Sequence, residues 1–167
     1  MKKLLFICLG NICRSPAAEG IMRTKIEEHY LDDAVVVDSA GIGAWHVGEA
    51  PDRRMQKHAL KRGYDLSRLR ARQFRSDDFD RFDYIVVMDE ENYHDVMHRM
   101  PHTTTDAQYS AYHSKILRMK DYFSEYEGTE SVPDPYYGGA DGFEPALDLI
   151  EDGCEGLLTR IIMRKSE

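Results

Sequence analysis

Leu4-Leu5-Phe6-Ile7-Cys8-Leu9-Gly10-Asn11-Ile12-Cys13-Arg14-Ser15-Pro16 runs from a continuous apolar segment, through a turn containing glycine, into a stretch with helical spacing. A short apolar run that ends in such a turn reads as a buried strand feeding a helix N-terminus. That geometry presents several backbone N–H groups to one point, which attracts an anion. Cys8 stands at the entrance to the turn and Arg14 at its exit. A thiol beside unpaired N–H groups and a guanidinium is readily held as thiolate, so a nucleophile and a bound anion would share one loop.

Working outward, Ser15 and Pro16 read as N-cap and first residue of a helix. Its apolar stripe is Ala18, Ile21, Met22 and Ile26, and it ends near Tyr30. Strand-like runs occur at Lys3 to Cys8, Val35 to Asp38, Tyr84 to Met88 and, more weakly, Lys115 to Met119. Helical patterns cover Arg53 to Lys61 and Glu90 to Arg99, with Gly63 and Pro101 as stop signals. After Pro145, the residues Leu147, Ile150, Cys154, Leu157 and Ile161 repeat at helical spacing and predict a long C-terminal helix. Thr103 to Ser114 reads as a polar surface connection. Strands alternating with helices predict an α/β, doubly wound fold: a central four-stranded parallel sheet flanked by helices on both faces, with a phosphate-binding loop after the first strand.

The chain has 167 residues, 42% hydrophobic and 31% charged, which suits one domain over residues 1–167 with a core that needs no disulfide or metal staple. A net charge of −8 disfavours nucleic acid and anionic membrane as partners. Three cysteines make no disulfide framework, so a reducing compartment, the cytoplasm, is expected. Met1-Lys2-Lys3 followed by Leu4 to Leu9 mimics a secretory leader, but Gly10, Asn11 and Arg14 break the apolar stretch. No segment approaches transmembrane length.

Spacing alone does not make Cys8 and Arg14 a site, because Cys154 and Arg160 stand at the same separation. Within a helix, residues six apart are displaced by about 9 Å along the axis and cannot clamp one anion. Cys154 therefore reads as part of an apolar stripe. The first pair differs by its preceding strand, its glycine turn and the hydroxyl of Ser15 that follows.

Cys8 to Pro16 resembles the signature of the low molecular weight protein tyrosine phosphatases, Cys-x-Gly-Asn-x-Cys-Arg-Ser-Pro, and matches every fixed position. The likeness continues at Asp38-Ser39-Ala40-Gly41, Trp45, Met88-Asp89-Glu90-Glu91-Asn92 and Asp134-Pro135-Tyr136-Tyr137-Gly138. It is weakest from Pro101 to Val132. The resemblance implies hydrolysis of phosphotyrosine and small aryl phosphates through a phosphocysteine intermediate on Cys8, with no cofactor and no metal. Leu9, Gly10, Asn11, Ile12, Cys13 and Ser15 would line the phosphate, Arg14 would grip it, and Ser15 would donate to the departing sulfur. Asp134 as general acid and base rests on the resemblance, since 30 carboxylates compete and Asp-Pro is an ordinary turn. Pro133 and Pro135 add only that the backbone on both sides is restricted. Asp89 is a second candidate, equally able to cap the helix that follows.

The resemblance further ties Asn11 to Ser39 as loop supports and makes Trp45, Tyr136 and Tyr137 the walls of a substrate crevice, against the alternative of core packing. It implies a reversible disulfide between Cys8 and Cys13, beside the simpler reading of Cys13 as a small buried side chain. Phosphotyrosine proteins, and a tyrosine kinase as a further candidate, are the expected partners of a monomer. His94, His98 and His102 are spaced for a metal, but Pro101 should end the helix before the third. The arginines at 62, 68, 70, 72 and 75 read as a solvated face or a steering patch. Three other functions compete. Protein-arginine phosphatases resemble this loop but carry Thr where Ile12 stands. Arsenate reductases need a later cysteine pair, and only Cys154 is present. A non-catalytic phosphoprotein-binding module would need neither Cys8 nor Asp134.

Overall fold

The computed structural model describes residues 1–164, so the last three residues of the expected domain lie outside the described ones. Strands β1 (Lys2–Cys8), β2 (Val35–Gly41), β3 (Tyr84–Val87) and β4 (Ile116–Arg118) form one parallel sheet in the order β2-β1-β3-β4. The expected doubly wound α/β architecture is present. β1 is central, and Leu4, Leu5, Phe6 and Ile7 are at most 1% exposed. Burial of each contributes about 1.5–3 kcal/mol, which is why the run carries no polar alternation.

Among the described residues, six α-helices cover the two faces: α1 (Arg14–Glu28), α2 (Arg53–Lys61), α3 (Asp78–Arg81), α4 (Glu90–His98), α5 (Asp106–Lys115) and α6 (Phe143–Leu157). Leu4, Phe6 and Cys8 point into one apolar layer with Ile21 and Met22 of α1, Met55 of α2 and Leu147 and Cys154 of α6. Leu5 and Ile7 point into the other with Phe79 of α3, Val96 of α4 and Tyr112 of α5. The chain steps from β1 out to β2, then passes back across β1 to β3. The carboxyl ends of β1 and β3 therefore border the switch point at which such sheets bind ligands.

Several boundaries differ from the sequence reading. Helix α1 begins at Arg14, and its N-cap is Cys13 with no side-chain capping bond. Ser15 is therefore not the cap; its hydroxyl lies within bonding distance of Cys8 and Asn11 instead. Residues 103–114, expected as a connection, contain most of α5. Thr105 Oγ1 accepts the Gln108 N–H at 3.2 Å and Gln108 Oε1 accepts the Thr105 N–H at 3.0 Å, a capping box. Tyr112 is its one buried residue, so no apolar stripe announced it. β2 extends three residues past Asp38, to Gly41, because Gly41 pairs with Cys8 at the end of the ladder.

Candidate active site

The loop after β1 is fixed from beneath. Ile42 N–H donates to Cys8 O at 3.0 Å, Gly43 N–H to Leu9 O at 2.9 Å and Asp52 N–H to Ile12 O at 2.8 Å. Gly41 has to lack a side chain, since a Cβ there would fall 2.9 Å from the carbonyl carbon of Gly10 and 3.0 Å from Asn11 N. Asn11 takes a left-handed backbone, φ 58°, which asparagine tolerates. The turn doubles back so that Asn11 N–H donates to Cys8 Sγ at 3.3 Å.

Asn11 and Ser39 meet as expected, Nδ2 to Oγ at 2.9 Å, and the second Nδ2 proton reaches Ser15 Oγ at 2.8 Å. Ser15 Oγ lies 3.0 Å from Cys8 Sγ. Beyond Ser39 stands Glu19, which the sequence reading passed over; Oε1 accepts the Ser39 hydroxyl at 2.6 Å. Its signal was a charged residue on the apolar face of α1, beside Ala18 and Met22.

Arg14 is 2% exposed. Nη1 donates to Asp89 Oδ2 at 2.6 Å and to Val132 O at 2.9 Å, and Nη2 lies 3.5 Å from Asp134 Oδ2. Among the described residues, its Nε has no partner. Burial pulls the guanidinium down, but Cys8, Asp89 and Asp134 together outweigh it and hold Arg14 above its ordinary value. A buried cation with an unused donor is poised for an anion. Cys13 is buried in the same loop, and burial first, then Asp52, Cys8 and Asp134, pushes its thiol far above the usual range.

Cys8, Leu9, Gly10, Ile12, Cys13, Trp45, Asp134, Tyr136 and Tyr137 line one crevice, together with His46. Trp45 and Tyr137 are 70% and 76% exposed, so they stand as walls and not as core. The Trp45 ring packs against Gly43, where a Cβ would fall 1.9 Å from it. His46 is a further residue the sequence reading missed. Its ring meets Tyr136 edge-on at 5.9 Å, and its Nδ1 bonds Glu49.

The structure separates the two aspartates. Asp89 Oδ1 caps α4 through Asn92 N–H at 2.8 Å while Oδ2 holds Arg14, so both oxygens are committed. Asp134 Oδ1 accepts the Tyr136 N–H at 3.0 Å, and its Oδ2 reaches Arg14 only loosely. Asp134 lines the crevice with Cys8.

Other sequence candidates fall away from this centre. Cys154 is fully buried between α1 and α6, its Sγ 3.8 Å from Ala18 O, while Arg160 donates to Asp121 O and lies over Tyr122. His94 and His98 lie on α4, and no group of three metal-binding side chains occurs among the described residues. Arg62 and Arg72 are tied to acidic side chains, Arg62 to Glu144 and Asp148 and Arg72 to Asp38 and Asp78.

Comparison with known proteins agrees with this geometry. The family model for low molecular weight phosphotyrosine protein phosphatase matches residues 3–167. A low molecular weight protein-tyrosine-phosphatase of Bacillus subtilis, YfkJ, is 40% identical over 165 residues, covering 99% of both chains. The crystal structure of YfkJ superposes with a TM-score of 0.86 over 99% of this chain and 98% of that one. A protein tyrosine phosphatase structure from Entamoeba histolytica gives the same TM-score at 42% identity and 97% coverage of each chain.

Proposed function

The chain belongs to the low molecular weight phosphotyrosine protein phosphatase family, and from that premise we propose that Cys8 is the nucleophile, Arg14 the phosphate grip and Asp134 the general acid and base. The observation that carries the reading is Arg14: a buried guanidinium with an unpartnered Nε, in contact with Asp134 of the crevice that also holds the Cys8 thiol. Binding alone needs neither of the last two.

In the first step the Cys8 thiolate attacks phosphorus in line, the S–P bond forms and the P–O bond to the aryl group breaks. Arg14 and the amides of residues 9–14 take the charge of the equatorial oxygens, the stabilisation that an electrostatic cradle provides. Asp134 gives its proton to the leaving phenolate oxygen. In the second step Asp134 takes a proton from water, the water oxygen bonds to phosphorus, and Cys8 leaves as thiolate. Ser15, 3.0 Å from the sulfur, donates to it as it departs. Asn11 and Ser39 keep the loop in shape.

The crevice supports an aryl substrate. Ile12, Trp45, Tyr136 and Tyr137 give apolar and aromatic walls beside the loop, which suit a flat phenyl ring. Phosphotyrosine, phosphoserine and phosphoarginine peptides of one sequence, compared by released phosphate, test this. Turnover should be fastest on phosphotyrosine by at least about 10² over phosphoserine. Equal rates on phosphotyrosine and phosphoarginine would overturn the specificity.

A further inference from the structure

A line of hydrogen bonds runs from the Cys8 sulfur into the back of the loop and ends on Glu19, a carboxylate with no part in the steps above. Glu19 is 3% exposed; Oε1 accepts the Ser39 hydroxyl at 2.6 Å and Oε2 lies 2.7 Å from the Arg23 guanidinium. An ionised carboxylate only accepts, so the single Ser39 proton is committed to Glu19 and the Ser39 oxygen is left to accept from Asn11 Nδ2. Asn11 Oδ1 accepts the Arg72 N–H at 3.0 Å, which agrees with that orientation of the amide. The other Nδ2 proton goes to Ser15 Oγ, and the Ser15 proton is thereby turned towards Cys8 Sγ.

The opposite sense has a definite structure. With the Asn11 amide reversed, Oδ1 would accept from both Ser39 and Ser15, the Ser15 proton would point away from the sulfur, and Nδ2 would face the Arg72 N–H that Oδ1 now accepts. We propose that Glu19 is a positioning residue for the second chemical step: by taking the Ser39 proton it holds, together with the Arg72 N–H on Asn11 Oδ1, the donor sense of the line that aims the Ser15 hydroxyl at the departing Cys8 sulfur. This rests on the phosphocysteine reading and adds to it the residue that orients the leaving group's partner.

Glutamine at this position is a sharp test. Arg23 would claim the amide oxygen, leaving Nε2–H to face Ser39, so that the Ser39 proton loses its acceptor and competes with the Asn11 Nδ2 proton for the space between them. In Glu19→Gln, kcat on p-nitrophenyl phosphate should fall about tenfold, the scale of one hydrogen bond to a charged atom. The pre-steady-state burst of nitrophenolate should grow as phosphoenzyme accumulates. Because the first step is untouched, kcat/KM and inhibition by inorganic phosphate should stay at wild-type values. Glu19→Gln should cost nothing further in a Ser15→Ala background.

The fold is expected to survive. Burial raises the Glu19 carboxyl above the usual carboxylate range, with Ser39, Arg23 and Arg72 opposing and Asp38 adding to it. An acid raised in the folded state costs stability that is absent below the 4.5 of a free glutamate and grows as pH rises through the native value. At neutral pH, Glu19→Gln should therefore melt no lower than wild type. A parallel fall in kcat/KM and kcat, or an equal loss with and without Ser15, would overturn the proposal. Absence of any phosphoenzyme burst in wild type would instead overturn the phosphocysteine reading on which it rests.

Discussion

Asp89 and Asp134 are each 24% exposed at the side chain and each touches Arg14, yet their oxygens are differently engaged. Asp89 has no free oxygen, since one caps α4 and the other holds the guanidinium. Asp134 keeps a loose contact at 3.5 Å and faces the crevice. Protonation of the leaving oxygen matters most for a poor leaving group. Asp134→Asn should accordingly lower kcat on phosphotyrosine by about 10²–10⁴, and markedly less on p-nitrophenyl phosphate. Equal losses on both substrates, measured at one pH, would remove Asp134 from the acid role. At this scale the sequence had Cys8 and Arg14 in its own chemistry, but Asp134 came by likeness alone, because a lone Asp-Pro among many carboxylates carries no signal until the fold sets it beside the thiol.

The anion loop is held by elements far apart in sequence. β2 supplies Gly41 and Ser39, α1 supplies Ser15 and Glu19, and the segment before α2 supplies Asp52 N–H. Gly41→Ala should push the loop outward, costing about 1–3 kcal/mol of stability by overpacking and a larger share of activity, since the loop amides lose their common focus. Wild-type kinetics in that variant would show that the close approach at Gly41 does not matter. Elements whose signal was apolar were legible beforehand: β1, the stripe of α1 and the stripe of α6 all lie where the pattern put them. Helix α5 was not, because it hides one residue and its only announcement was Thr105-x-x-Gln108. The N-cap assigned to Ser15 failed for a related reason, as a hydroxyl near a helix start has more than one possible partner and tertiary structure decided between them.

On the scale of the whole molecule, a chain of net charge −8 would hold an anion only through local donors, the amides of the loop after β1 and the free Nε of Arg14, since its overall charge opposes one. In the basic stretch from Lys61 to Arg75, three of the six cations have acidic partners: Arg62 ties α2 to α6, Arg72 ties β2 to α3, and Arg75 meets Asp77. Arg14 is different in being buried, partly unpartnered and beside a thiol, a distinction that spacing could not give and burial does. No helix among the described residues is long and apolar enough to cross a membrane. The arrangement at the switch point of the sheet brings Cys8, Arg14 and Asp134 together from positions more than a hundred residues apart. Cys154 provides the internal control, with burial pushing its thiol far above the usual range. The most direct measurement is turnover of p-nitrophenyl phosphate, with a chelator present, in wild type, Cys8→Ser and Cys154→Ser, with the phosphoenzyme trapped in acid and its site mapped. The account expects wild type and Cys154→Ser to turn over and to carry phosphate on Cys8, and Cys8→Ser to do neither; full activity in Cys8→Ser would contradict it.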